Sequence, residues 1–357
     1  MKKNILIVTY SYPPLNVPAA QRPYALAKYL DSNTFNVSVI TCANPITNFG
    51  NDHDFNSYLS HVNVIKIKTF FGKKLKSNSD ENISKSIKSN DTNLGLIAKL
   101  KRIIFKILQF FIFPDLSIFW YPRVKKFLID NNNLIDNTDI VVSLSPKIGN
   151  HRIANYIKKI NPRVIWLADF SDFHYVNNWQ LKRGIRSYLH KKFEQVIIEN
   201  ATFLNFVTNT MYSAYKSFYV NYADKMFSSY NGFDPIDFQQ NTKLIENEKL
   251  VIFYAGTFYN GVRSPQPLLE LLDNAMNKNL LNQNDFVIEI AGNIEVQVVD
   301  MMKQYKSFES INFLGRLSRK ETIKKMTNST FLWLIIGNVK FHYQTVPIKL
   351  FEYIAAR

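Results

Sequence analysis

Only one cysteine, Cys42, occurs in these 357 residues. That leaves no disulfide framework and no cysteine-based zinc site, which fits a reducing compartment. Glycine is also scarce, at 11 residues, and neither the six-residue dinucleotide glycine fingerprint nor a P-loop is present. No uncharged apolar run approaches the ~20 residues needed to span a bilayer. The opening Met1–Val8 has two lysines ahead of an apolar core too short for a signal peptide, and Tyr12-Pro13-Pro14 interrupts it, so it reads as a first buried strand. Acidic residues are in deficit, with 28 Asp/Glu against 44 Lys/Arg and a formal net charge of +16. Such an excess implies anionic partners, whether nucleic acid, a membrane surface or phosphorylated substrates. Half of it lies in residues 73–126, which hold 12 Lys/Arg against 4 Asp/Glu.

Against these deficits, 46% of the residues are hydrophobic and 14% aromatic, enough for ordinary buried cores. Short apolar runs suited to strands fall at Ile5–Thr9, Val37–Thr41, Val62–Ile67, Ile140–Leu144, Val164–Ala168, Phe203–Val207 and Met226–Ser229. Amphipathic stretches such as Arg22–Leu30, His151–Lys159 and Ile185–Asn200 lie between them. Continuous apolar strands separated by helices indicate a mostly parallel sheet covered on both faces. The pattern restarts at Leu250–Ala255 and continues through Phe286–Ala291, Ile311–Leu314 and a buried-looking Phe331–Ile336. The expected fold is α/β: two Rossmann-like doubly wound domains, residues 1–240 and 241–357, facing a central cleft, with Gln239–Lys249 as linker. Residues Lys76–Asn93 form a polar insertion, and Leu94–Phe113 a basic amphipathic helix with Lys99, Arg102 and Lys106 on one arc. That arc suits an anionic membrane surface, although an ordinary domain helix with snorkelling lysines has the same pattern.

The most informative run is Val346-Pro347-Ile348-Lys349-Leu350-Phe351-Glu352-Tyr353. Proline at the start of a helix leaves an amide cluster suited to an anion. Lys349 and Glu352, three apart, share one helix face, so the first can meet a phosphate while the second accepts from ribose hydroxyls. The alternative is a surface helix with an internal Lys349–Glu352 salt bridge. Upstream, Phe253-Tyr254-Ala255-Gly256 leads through a loop to Arg263 and a helix starting near Pro265. Gly256 lets the backbone approach a pyrophosphate and Arg263 can clamp its oxygens. Two further strands end in polar residues, at Ser143-Leu144-Ser145-Pro146 and at Ala168-Asp169-Phe170-Ser171-Asp172, and ligands gather at such carboxyl ends. Asp169 is placed to hold the loop, with Asp172 and then His174 as candidates for the acceptor side.

Taken in order, these segments resemble family 4 of the retaining glycosyltransferases, of GT-B fold and cell-surface polysaccharide type. The resemblance runs from the first strand to the last residue. It implies transfer of a sugar from a nucleotide-diphosphate sugar to a lipid-linked or other glycan acceptor, in bacterial capsule, lipopolysaccharide or exopolysaccharide assembly. It also implies retained anomeric configuration, no metal or other cofactor, and a cytoplasmic enzyme peripheral to the inner face of the plasma membrane. By the same resemblance Asp172 and His174 serve catalysis, and Gly256, Arg263, Gly315, Gln344, Lys349 and Glu352 bind the donor. Gly315 belongs to Phe313–Ser318, which resembles the loop that cups the base. The pattern departs in three places: Ser171 replaces an arginine, Gln344 replaces the first of two glutamates, and Val17–Ala20 replace a glycine-bearing loop. Relatives also continue past the Glu352 helix, so the expectation is a truncated chain with an incomplete second domain. A non-catalytic transferase-like scaffold, a basic nucleic-acid-binding protein and, more remotely, a sugar-nucleotide epimerase are the other readings.

Overall fold

The computed structural model describes residues 2–45, 59–70, 112–177, 184–239, 248–337 and 346–357. The polar insertion Lys76–Asn93, residues 94–111 of the basic segment, most of the expected linker and Gln344 lie outside the described residues. The chain divides into two compact units, one running to Tyr230 and the other from Asn231 to Arg357.

In the first unit the strands are β1 Lys3–Val8, β2 Phe35–Cys42, β3 Val62–Ile67, β4 Ile140–Leu144, β5 Ile165–Phe170, β6 Phe203–Phe206 and β7 Met226–Ser228. They form one sheet in the order β3-β2-β1-β4-β5-β6-β7, parallel throughout. The described helices are α1 Pro18–Tyr29, α2 Tyr121–Asp130, α3 Asn132–Asp136, α4 Asn150–Ile160, α5 Ile185–Asn200 and α6 Asn209–Phe218. Strand order reverses between β1 and β4, the switch point of a doubly wound sheet, where loops diverge and leave room for a ligand. Ile5, Ile7, Val37, Val39 and Val142 pack with Ala20, Tyr24 and Ala27 of α1 in one apolar cluster. β-branched residues on consecutive strands and small residues on the facing helix make that contact close.

The described residues of the second unit form four strands, β8 Leu250–Ala255, β9 Phe286–Ala291, β10 Ile311–Gly315 and β11 Phe331–Leu332, in the parallel order β10-β9-β8-β11. Its described helices are α7 Pro235–Phe238, α8 Gln266–Asn277, α9 Val296–Met302, α10 Arg319–Asn328 and α11 Ile348–Ala355. Alternation along β8 separates two cores: Ile252 and Tyr254 face α8 and α9, whereas Phe253 faces Met326 of α10 and Tyr353 of α11. Ser318 and Glu321 form a reciprocal capping box that starts α10.

The expectation of a buried strand over Phe331–Ile336 is corrected. Only Phe331 and Leu332 pair, with β8, and Phe331 and Ile336 are 55% and 47% exposed. Among the described residues β11 lies at the edge of its sheet, with β8 as its one strand neighbour. Truncating Phe253, which is fully buried, should cost about 3–5 kcal/mol. Urea denaturation of Phe253→Ala is expected to show a lower midpoint for the second-unit transition than in the parent chain.

Candidate functional site

Three of the few glycines end adjacent strands or follow them directly, at Gly256, Gly292 and Gly315, with φ of +156°, +132° and +68°. Gly256 N–H donates to Ala291 O (2.8 Å) and Gly292 N–H to Gly315 O (2.6 Å), so the three loop starts are laced together at the carboxyl end of the sheet. A side chain at Gly292 would overlap the Gly256 carbonyl oxygen, and a Cβ at Gly256 would come within 2.5 Å of Lys349 Nζ. Both positions thus need glycine for close approach as well as for backbone angle.

Lys349 enters this gap from the first turn of α11. No side chain caps that helix, and its Ncap is Pro347. The ammonium donates to Ala255 O (2.6 Å) and lies 4.5 Å from the centre of the Tyr254 ring. Burial, aided by the nearby Arg263 guanidinium and opposed by Glu352, brings its pKa down to about 7. Arg263 stacks on Tyr259 (4.6 Å to the ring centre), and its Nε is buried without a hydrogen-bond partner. Two cations converge on a glycine-bearing loop, and one keeps an unsatisfied buried donor. An anion supplies what that arrangement lacks.

Lys349 and Glu352 do not pair with each other. Glu352 is buried and accepts from Arg319 Nη1 (2.9 Å), while the same guanidinium donates through Nε (2.8 Å) and Nη2 (2.6 Å) to Asp237. The carboxylate expected to meet a ribose is therefore oriented by an arginine. Sequence reading missed Arg319, though one signal was available. A cation at the first position of a helix opposes the macrodipole, so it needs acidic partners, and here it has two. Gly315 closes β10 beside Gly292, and burial lowers the pKa of the adjacent Arg316.

In the first unit the strand-end loops carry the other candidates. Asp169, at the end of β5, accepts two-pronged contacts from Arg22 of α1 (2.9–3.2 Å) and one from Asn205 Nδ2 (3.1 Å), which suits the holding role expected of it. Ser171 N–H donates to Ser145 Oγ (2.8 Å), tying the β5 loop to the β4 loop. Asp172 is exposed to solvent on one side, yet desolvation by the protein packed around it pushes its carboxyl up to about 6. His174 is half-buried, with Nε2 3.1 Å from His190 Nδ1. Burial and that second imidazole hold its pKa down to about 3, so it is neutral at pH 7. An imidazole with so low a pKa is a weak base toward a hydroxyl.

No protein family's sequence profile matches the chain, and no curated protein matches it in sequence. Solved structures do match in shape. Described as trehalose-6-phosphate from E. coli bound with UDP-2-fluoro glucose, one aligns over 99% of this chain and 82% of its own, at 11% identity and a TM-score of 0.57. The UDP-forming alpha,alpha-trehalose-phosphate synthase from Burkholderia xenovorans aligns over 100% and 82%, at 11% identity and a TM-score of 0.55. Another from that organism, in complex with glucose-6-phosphate, gives 100% and 83%, at 8% identity and 0.54. The chain has a GT-B-like α/β fold. Among the described residues no helix is long and apolar enough to cross a membrane.

Removing Arg319 strands two acids at once, Glu352 being buried. Breaking such a cluster costs about 3–5 kcal/mol. Arg319→Ala should lower the chain's denaturation midpoint correspondingly, whereas Lys303→Ala, at an exposed pair, should shift it by under about 1 kcal/mol.

Proposed function

We propose that the chain is a glycosyltransferase of the family 4 retaining type. Its second unit takes a nucleotide-diphosphate sugar, and its first unit presents a glycan acceptor, lipid-linked in bacterial cell-surface polysaccharide assembly. The observation that carries this reading is the convergence of Lys349 and Arg263 on the Gly256 loop, with an unsatisfied guanidinium nitrogen. In the transfer, the bond between the anomeric carbon and the diphosphate oxygen breaks and its electron pair leaves with the diphosphate. The acceptor oxygen bonds to that carbon, and its proton passes to the departing diphosphate oxygen. Fixed cations and backbone amides stabilise the charge that develops on the leaving group. Glu352, oriented by Arg319, accepts from the ribose, the Gly315 loop and Gln344 complete the donor contacts, and Asp172 meets the acceptor hydroxyl beside His174. The similarity in fold to a structure bound with UDP-2-fluoro glucose supports a donor of this class. The basic segment Leu94–Phe113 would hold the enzyme at the inner face of the plasma membrane.

Calorimetry against a panel of nucleoside diphosphates tests the donor site. Each cation supplies a charge-assisted hydrogen bond worth ~1.5–3 kcal/mol, so Arg263→Ala and Lys349→Ala should each weaken binding about tenfold or more with the fold intact. Lys349 carries its charge below its pKa of about 7, so affinity in the parent should fall as pH rises through 7. Lys349→Ala should show no such fall. Parent-like affinity in both variants would place the donor elsewhere.

A further inference from the structure

One face of α5 carries a buried group that the donor site does not use. The helix buries Ser187, His190, Glu194, Ile197 and Ile198, and His190 and Glu194, four apart, lie one above the other. Glu194 is wholly buried, and burial pushes its carboxyl up to about 7 against the pull of its hydrogen-bond donors. An apolar side chain would fill this space without that desolvation cost. What the carboxyl adds is two acceptor oxygens, and both are in use. Oε2 accepts from the Tyr175 N–H (2.7 Å) and the Tyr215 hydroxyl (2.8 Å), and Oε1 accepts from the Tyr219 hydroxyl (3.0 Å).

The network runs on into the loop after β5. Tyr215 Oη accepts from the His174 N–H (3.2 Å), and the His174 ring meets His190, one turn before Glu194. Two consecutive backbone amides of the loop thus end on Glu194, one directly and one through Tyr215. At its other end the loop is fixed by Ser171 N–H on Ser145 Oγ. Asp172 stands exposed between these anchors. Tyr215 is built for rigidity as well: its ring stacks on Phe206 and Phe173, at 4.4 and 5.9 Å between centres. Tyr219 donates to the same carboxyl but, among the described residues, accepts no hydrogen bond from the loop.

We propose that Glu194 is the positioning residue for the loop 171–177, acting through the Tyr175 amide and through Tyr215, and so sets where Asp172 stands. The link to acceptor binding rests on the function proposed above; the positioning itself does not. Glu194 makes no contact with a reacting group and is not catalytic.

Two substitutions separate positioning from mere stability. Tyr215→Phe and Tyr219→Phe each delete one hydroxyl from the same carboxyl while keeping the ring. Only Tyr215→Phe also strips the acceptor from the His174 amide. Hydrogen–deuterium exchange on the full-length chain should show the 171–177 amides opening about tenfold faster in Tyr215→Phe and within about twofold of the parent in Tyr219→Phe. Glu194→Gln should restore near-parent exchange, because its amide oxygen still accepts from Tyr175 and Tyr215 while its NH2 donates to Tyr219. Equal loop exchange in the two tyrosine variants, or parent-like exchange in Tyr215→Phe, would overturn the proposal. These readings need no donor or acceptor. If nucleoside diphosphates fail to respond to Arg263 and Lys349 while the tyrosine contrast holds, the donor assignment falls and the Glu194 placement stands.

Discussion

A lysine ammonium held against the end of a buried strand is the constraint on which the second unit turns. Lys349 reaches Ala255 O only because Gly256 has no side chain in its path. Gly256 keeps its place only because Gly292 leaves room for its carbonyl. Helix α11 in turn sits where Tyr353 packs against Phe253 and bonds its hydroxyl to Trp333 O (3.3 Å). Burial makes the ammonium costly, and Arg263 makes it costlier. In the proposed function, an anion arriving between the two cations would stabilise a charge that the fold places at such expense.

The two units use the same architectural device for different chemistry. In each, parallel strands deliver polar loops to the carboxyl end of a sheet. The second unit fills that place with glycines and cations. The first fills it with aspartates held by partners from elsewhere in the unit: Asp169 by Arg22 and Asn205, the Asp172 loop by Ser145 and the Glu194 network. Rigid supports of this kind are what a site needs to hold reacting groups in one geometry.

Most of the sheet architecture was legible in the sequence because continuous apolar runs of strand length admit few alternatives. Every expected strand overlaps an observed one, and Ile185–Asn200 is helical over its full expected span. The Phe331–Ile336 run misled because hydropathy reports composition, while exposure depends on what lies beside the run; among the described residues β11 has a strand neighbour on a single side. Lys349, Arg263 and Gly256, which the structure brings together, stood out because each belongs to a helix start or a strand–loop turn. Arg319 and Glu194 could not, since their meaning lies in partners far along the chain: Asp237, 82 residues from Arg319, and Tyr175, Tyr215 and Tyr219, 19 to 25 residues from Glu194. Spacing on a helix gives the face of such a residue and says nothing of what faces it.

The central claim is that a partly desolvated lysine awaits a diphosphate. Titrating Lys349 by NMR of isotope-labelled lysine, assigned with Lys349→Arg, tests it most directly. The account predicts a pKa of about 7 in the free chain, rising when a nucleoside diphosphate binds. A Lys349 that titrates near the ordinary ~10.4 and ignores every nucleoside diphosphate would contradict it.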